Sequence, residues 1–212
     1  MSDFRTQRKK ALDLVIARPS GSVASGSESL RSLADRYRVL LTGHEREELD
    51  RLPNIPVSDV GAVLIALEAK AAMTAHVKAL PRLYDELNSS HLCVHGASEQ
   101  ALAIGYVQVN ASRDFVSSVK NSRPGFPIEI TKHKQPEDTL RVLKKTAELP
   151  RRSHAGEVGF DGLGVSILDL RNDGGPVNLV EVPPAPQPGD SFHYDSMIVR
   201  MAHEYDSRFR DI

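Results

Sequence analysis

The chain has no tryptophan and a single cysteine, Cys93, among its 212 residues. One cysteine excludes a disulfide within the chain and points to a reducing compartment. Between Leu92 and Val94, Cys93 reads as a small core residue rather than a reactive thiol. Long apolar runs are missing too. The longest, Val60 to Leu67, falls far short of the roughly 20 residues of a membrane span. It reads as a buried element, and no membrane association is expected. Met1 to Lys10 is polar and charged and lacks the apolar centre of a signal peptide, so the expected location is cytoplasmic. An excess of charge of one sign is also absent, with 27 Lys and Arg against 28 Asp and Glu. This excludes a strongly basic nucleic-acid coat protein. It leaves room for a DNA enzyme whose acidic metal site offsets a basic groove.

What is present fits one globular domain over 1–212, with 40% hydrophobic and 26% charged residues. Charge is uneven along the chain. Residues 120–152 hold nine Lys and Arg against four acids, a local balance of +5. A helical N-terminal part is expected over 1–52, a sheet core over 53–182 and a C-terminal helix over 190–212. In detail, the pattern predicts helices over 3–17, 28–41 and 43–51. The last opens on a capping box, Thr42 with Glu45. Residues 19–29, rich in Ser and Gly, read as a flexible link. Val60 to Ala69 predicts a central strand apolar on both faces. A helix follows over 76–89, with Pro81 suggesting a start near Leu80. Further on come a strand over 103–110, a helix over 136–148 and a strand over 165–170. Asn172 to Gly175 is a hairpin turn, returning along 177–182. A final helix spans 192–209. The fold class is therefore α/β.

The stretch Asp59-Val60-Gly61-Ala62-Val63-Leu64-Ile65-Ala66-Leu67-Glu68-Ala69-Lys70 carries the chemistry. Strand periodicity places Glu68 and Lys70 on one face. A carboxylate and an ammonium at the exit of a buried strand are costly to desolvate, so they call for a functional reason. Phosphodiester hydrolysis supplies one: carboxylates hold magnesium, and a lysine orients water or offsets developing charge. The bland alternative is a structural ion pair at a strand end.

Asp, a spacer, then Glu-x-Lys on an apolar strand resembles the PD-(D/E)xK nuclease superfamily, which includes the type II restriction endonucleases. The resemblance covers about residues 45–110. It implies a restriction-endonuclease-like central mixed sheet flanked by helices, with Mg2+ as cofactor. Asp59 and Glu68 would be metal ligands, joined by Glu48 or Glu47 from the preceding helix, and Lys70 the catalytic lysine. The residue before Asp59 is Ser58 rather than proline. The spacer of eight residues brings Asp59 to Glu68 only if the chain bends near Gly61.

Thr74, His76, Lys78 and Arg82, on the helix after the motif, are candidate contacts to a DNA backbone, as are Lys132 and Lys134. His91 and His95 have the spacing of metal ligands on a helix, but the strand-like Leu92 to Val94 makes plain polar histidines the expectation. The resulting expectation is a magnesium-dependent endonuclease acting on double-stranded DNA as a homodimer, sequence-specific and of restriction type. The alternatives are a repair, recombination or phage-defence nuclease of the same fold, and a non-enzymatic α/β binding protein.

Overall fold

The computed structural model describes residues 2–3, 8–123 and 125–210. Two compact units emerge. One comprises Met1–Ile16 with Leu64–Ile212, and the other Ala17–Val63. Along the chain lie the strands β1 (Ser2–Asp3), β2 (Arg8–Lys9) and β3 (Leu14–Pro19), then the helices α1 (Leu30–Arg36) and α2 (Gly43–Arg51). Strand β4 (Val60–Ala72), helix α3 (His76–Ala97) and strand β5 (Leu102–Asn110) follow. After them come β6 (Asp114–Val116), β7 (Ile130–Lys132), α4 (Glu137–Ala147), β8 (Gly162–Asp169), β9 (Asn178–Val180) and α5 (Tyr194–Phe209). The α/β class is as read from the sequence.

The main sheet has the order β3-β4-β5-β8-β9. Strands β4, β5 and β8 are parallel, with Glu68 opposite Gly105 and Gly105 opposite Leu163. Strand β9 returns antiparallel to β8 after the Asn172–Gly175 turn, where Asn172 and Gly174 take positive φ. The sheet is therefore mixed. Alternation along β4 sorts its two faces. Ile65 and Leu67 pack against the cluster of Ile104, Met197 and Met201, which brings in α5. Ala66, Glu68 and Ala72 are buried, and Glu68 and Lys70 reach α3 through the ion pairs described below.

Several expectations are corrected. Residues 3–17 do not form one helix, because Leu14-Val15-Ile16 is a branched apolar run that suits a strand, and β3 runs there; residues 4–7 lie outside the described part. Helix α3 starts at His76 despite Pro81, which sits in the second turn, and continues to Ala97 through Leu92–Val94. A strand was the wrong reading there, since the stripe Leu83, Leu87, His91, Val94 keeps one helical face buried. Strand β4 is buried only towards its carboxyl end: Val60 is 52% exposed. Helix α1 is shorter than expected, ending at Arg36. Helix α2 and its capping box stand as read.

The Ala17–Val63 unit contains α1 and α2, neither with a buried residue. Leu33, Tyr37, Leu41 and Leu49 line an apolar groove within it. Among the described residues, no helix is long and apolar enough to cross a membrane.

Candidate active site

Strand β4 delivers two charged side chains to the surface that α3 covers. Glu68 is 3% exposed, and its Oε1 lies 2.5 Å from the Lys70 Nζ and 3.5 Å from the Lys10 Nζ. The other oxygen, Oε2, is buried and has no hydrogen-bond partner among the described residues. Lys70 also meets Glu86 of α3 at 3.2 Å. The Glu86 carboxylate in turn accepts from Arg82 at 2.5 Å. Lys10 donates to the Glu86 carbonyl oxygen and to the Ser89 Oγ, the latter at 3.0 Å. Strand β4, helix α3 and the segment at Lys10 thus converge on one cluster of five charged side chains.

Burial pulls the Lys70 ammonium towards neutrality, but the carboxylates of Glu68 and Glu86 more than reverse this and raise its pKa above the ordinary lysine value. Arg82 and Lys70 hold Glu86 ionised, below the usual carboxylate range. Lys70 is therefore a cation at neutral pH. It suits the stabilisation of developing negative charge, or the donation of a hydrogen bond to a water, rather than proton abstraction.

A residue not singled out in the sequence completes the arrangement. Asp13, immediately before β3, accepts a hydrogen bond from the backbone N–H of Ala69 at 2.8 Å through its Oδ2. Ala69 lies between Glu68 and Lys70, so a further carboxylate, besides Glu86, is bonded to the backbone of the Glu-x-Lys pair. The signal was present as an acid ahead of Leu14-Val15-Ile16. It was hidden by the helical reading of that segment and by its distance along the chain from Glu68.

Asp59 does not take that place. The expected bend at Gly61 is absent: β4 runs unbroken from Val60 to Ala72, and Asp59 precedes it. A strand advances about 3.3 Å per residue and does not fold back on itself. Gly61 serves another purpose, since a Cβ there would come within 2.7 Å of the Pro19 carbonyl oxygen. The Asp59 carbonyl accepts from the Ser20 N–H, within the Ala17–Val63 unit. Glu48 and Glu47 belong to that unit as well, and Glu48 pairs with Arg51 on the exposed surface of α2.

The suggested DNA contacts divide. Lys78 and Arg82 are exposed on α3. His76 is 2% exposed, its Nε2 bonded to the Asn110 carbonyl at 2.8 Å and its ring edge-on to His133, and it is not accessible to a phosphate. Burial lowers its pKa. Thr74 is half-buried, and its carbonyl accepts from the His133 Nε2 at 3.0 Å. Lys134 is exposed, while Lys132 pairs with Asp114 at 2.6 Å.

A second polar cluster lies at the amino ends of β5 and β8. Asp161 accepts from the Ala103 N–H at 2.8 Å and the Arg152 Nε at 2.9 Å, and lies 3.2 Å from the His95 Nε2 and 2.9 Å from Arg208. Burial alone would raise its pKa; His95, Arg152 and the Ala103 N–H overcome this and hold it at about 2. His91, wholly buried against Phe160, is pushed down to about 4 by burial and by the neighbouring His95 and Arg152. This cluster ties α3, α5 and the sheet together.

Among the described residues, no group of three or more His, Cys, Asp or Glu side chains is placed to hold a metal ion. Magnesium does not require such a group, because it is commonly held by one or two carboxylates, with water and substrate phosphates completing its shell. Asp13 and Glu68 are hard oxygen donors; the Glu68 carboxylate already pairs with Lys70 and Lys10 through Oε1, and its buried Oε2 has no hydrogen-bond partner among the described residues. Both are donor types that magnesium takes. No protein-family model, curated protein or solved structure matches the chain.

Proposed function

We propose that the chain is a magnesium-dependent endonuclease acting on double-stranded DNA, with Asp13, Glu68 and Lys70 as its working residues. The observation that carries this reading is the buried, half-satisfied Glu68 carboxylate between Lys70 and the Asp13-bonded backbone of Ala69. A structural ion pair has no use for an orphaned oxygen, because a buried acceptor left unpaired costs about 1–3 kcal/mol.

In this account Asp13 and Glu68 hold the metal, which when bound supplies Lewis acidity and an activated water. Lys70, kept cationic by Glu68 and Glu86, stabilises charge on the scissile phosphate. Glu86 and Arg82 fix the Lys70 ammonium in place. Lys78 and Arg82 face solvent beside the cluster and contact the phosphate backbone. Cutting both strands takes two such sites, so the working form is a homodimer.

The test is incubation of plasmid and phage DNA with magnesium, comparing the wild type with Lys70→Ala. Discrete fragments from the wild type and a loss of about a hundredfold or more in the variant are expected. Discrete bands support a sequence-specific enzyme of restriction type, and nicking or smearing a repair or defence role. Absence of magnesium-dependent cleavage on any DNA would leave the structural ion pair.

A further inference from the structure

Of the three cations in the Glu68 cluster, Lys70 and Arg82 have a task in the nuclease reading and Lys10 has none. The Lys10 ammonium sits among oxygens. It donates to the Glu86 carbonyl and, at 3.0 Å, to the Ser89 Oγ of α3, and it lies 3.5 Å from the Glu68 Oε1. Ser89 in turn donates to the same Glu86 carbonyl at 2.9 Å, so α3 presents a fixed cradle to the ammonium. A carboxylate, a backbone carbonyl and a hydroxyl gathered around one compact cation are oxygen donors of the kind that a hard metal ion also takes.

The cluster has no negative charge to spare for a divalent ion. Lys10, Lys70 and Arg82 stand against Glu68 and Glu86, a balance of +1, and Asp13 brings it to zero. Without Lys10 the same set would carry −1. Lys10 and Lys70 meet the same oxygen, Glu68 Oε1. Glu68 is buried, so these charges are weakly screened by solvent. Lys10 and Asp13 belong to one short stretch between β2 and β3, three residues apart. The stretch that brings the second proposed metal ligand thus also brings a cation that opposes the metal.

We propose, resting on the Asp13–Glu68 metal site of the nuclease reading, that Lys10 is an internal counter-ion that competes with magnesium for the Glu68 carboxylate, so that metal binding displaces its ammonium. Lys70 is not the competing group, because Glu86 holds it from the other side and Arg82 holds Glu86. Lys10 keeps Ser89 and the Glu86 carbonyl as partners when it leaves Glu68, so a shift of its side chain is enough. The consequence is a metal affinity below that which Asp13 and Glu68 alone would give, and a site closed to cations when magnesium is scarce. A Lys10 that only braces the cluster has a different signature: its loss leaves metal affinity unchanged or lower.

The experiment titrates the full chain with Mn2+, a paramagnetic ion that takes the same oxygen ligands as magnesium, and reads the free ion by electron paramagnetic resonance. Wild type, Lys10→Met, Lys10→Gln and Lys10→Arg are compared, each with its fold verified by circular dichroism. The two neutral variants remove the charge with different side chains, so the test survives if one of them fails to fold. Each is expected to bind Mn2+ about tenfold more tightly than the wild type, whereas Lys10→Arg, which keeps the charge, should show no gain. Magnesium-dependent plasmid cleavage by the neutral variants should reach half its maximum at a correspondingly lower magnesium concentration. Unchanged or weaker Mn2+ binding by the neutral variants, or an equal gain in Lys10→Arg, overturns the competition. Magnesium-dependent cleavage by the same preparations would then leave the nuclease reading intact. No Mn2+ binding by the wild type or by either neutral variant, with no cleavage, overturns both.

Discussion

At the scale of the residue, the chain has two buried carboxylates in opposite circumstances. Asp161 accepts a hydrogen bond or an ion pair from four sides, whereas Glu68 keeps one oxygen without a hydrogen-bond partner among the described residues. The first is a stabilising hub, and the second is the acid we propose as a metal ligand. Asp161→Asn leaves the buried Arg152 guanidinium without its counter-charge, and should destabilise the fold by roughly 3–5 kcal/mol in denaturant titrations. His91 makes a pH prediction. An unfolded chain protonates this ring near 6.5, the folded chain only near 4. Within that window the unfolded state binds more protons, so stability falls as the pH drops through it. Thermal melts between pH 7 and 4 should show a loss of roughly 1–3 kcal/mol, reduced in His91→Gln. A flat profile over that range would contradict the buried neutral assignment. At this scale the sequence was informative about Glu68 and Lys70, because alternation in a strand needs only two neighbouring positions. It was silent about Asp13, because pairing of β3 beside β4 is a long-range fact.

At the scale of the element, β4 is organised by its faces. The side carrying Ile65 and Leu67 packs onto Met197 and Met201 of α5, and the side carrying Glu68 and Lys70 reaches Glu86 of α3. Gly162 and Gly164 of β8 let α5 approach closely, since a Cβ at either would come within 2.9 Å of a methionine side chain. Met197→Ala empties a fully buried position and should cost about 2–5 kcal/mol, measured by chemical denaturation, while cleavage per folded molecule is retained. Long periodic elements such as α4 and α5 were legible in the sequence because a 3.6-residue stripe survives local noise. The β6–β7 hairpin was not, because its strands are three residues each, too short for a period-2 pattern, and the Pro124-Gly125 turn signal sits in a long connection between them. The His91–His95 segment was misread because Cys93 and Val94 fit a strand as well as a buried helix face.

At the scale of the whole molecule, polar groups gather at both ends of the parallel strands. The Asp161 cluster closes the amino ends, and Asn110 with His133 closes the carboxyl ends, where the hairpin stands. The Glu68 cluster lies on the α3 face between them. Near-neutral net charge is consistent with this division, because acids elsewhere in the chain balance a basic 120–152 region. In the magnesium site we propose, Asp13, not Asp59, joins Glu68. The most direct measurement is the magnesium-dependent cleavage rate of the same plasmid by wild type, Asp13→Asn, Glu68→Gln and Asp59→Asn, each with its fold verified. A loss of about a hundredfold or more is expected for Asp13→Asn and Glu68→Gln, and a near-wild-type rate for Asp59→Asn. Full activity in Asp13→Asn, or its loss in Asp59→Asn, would contradict it.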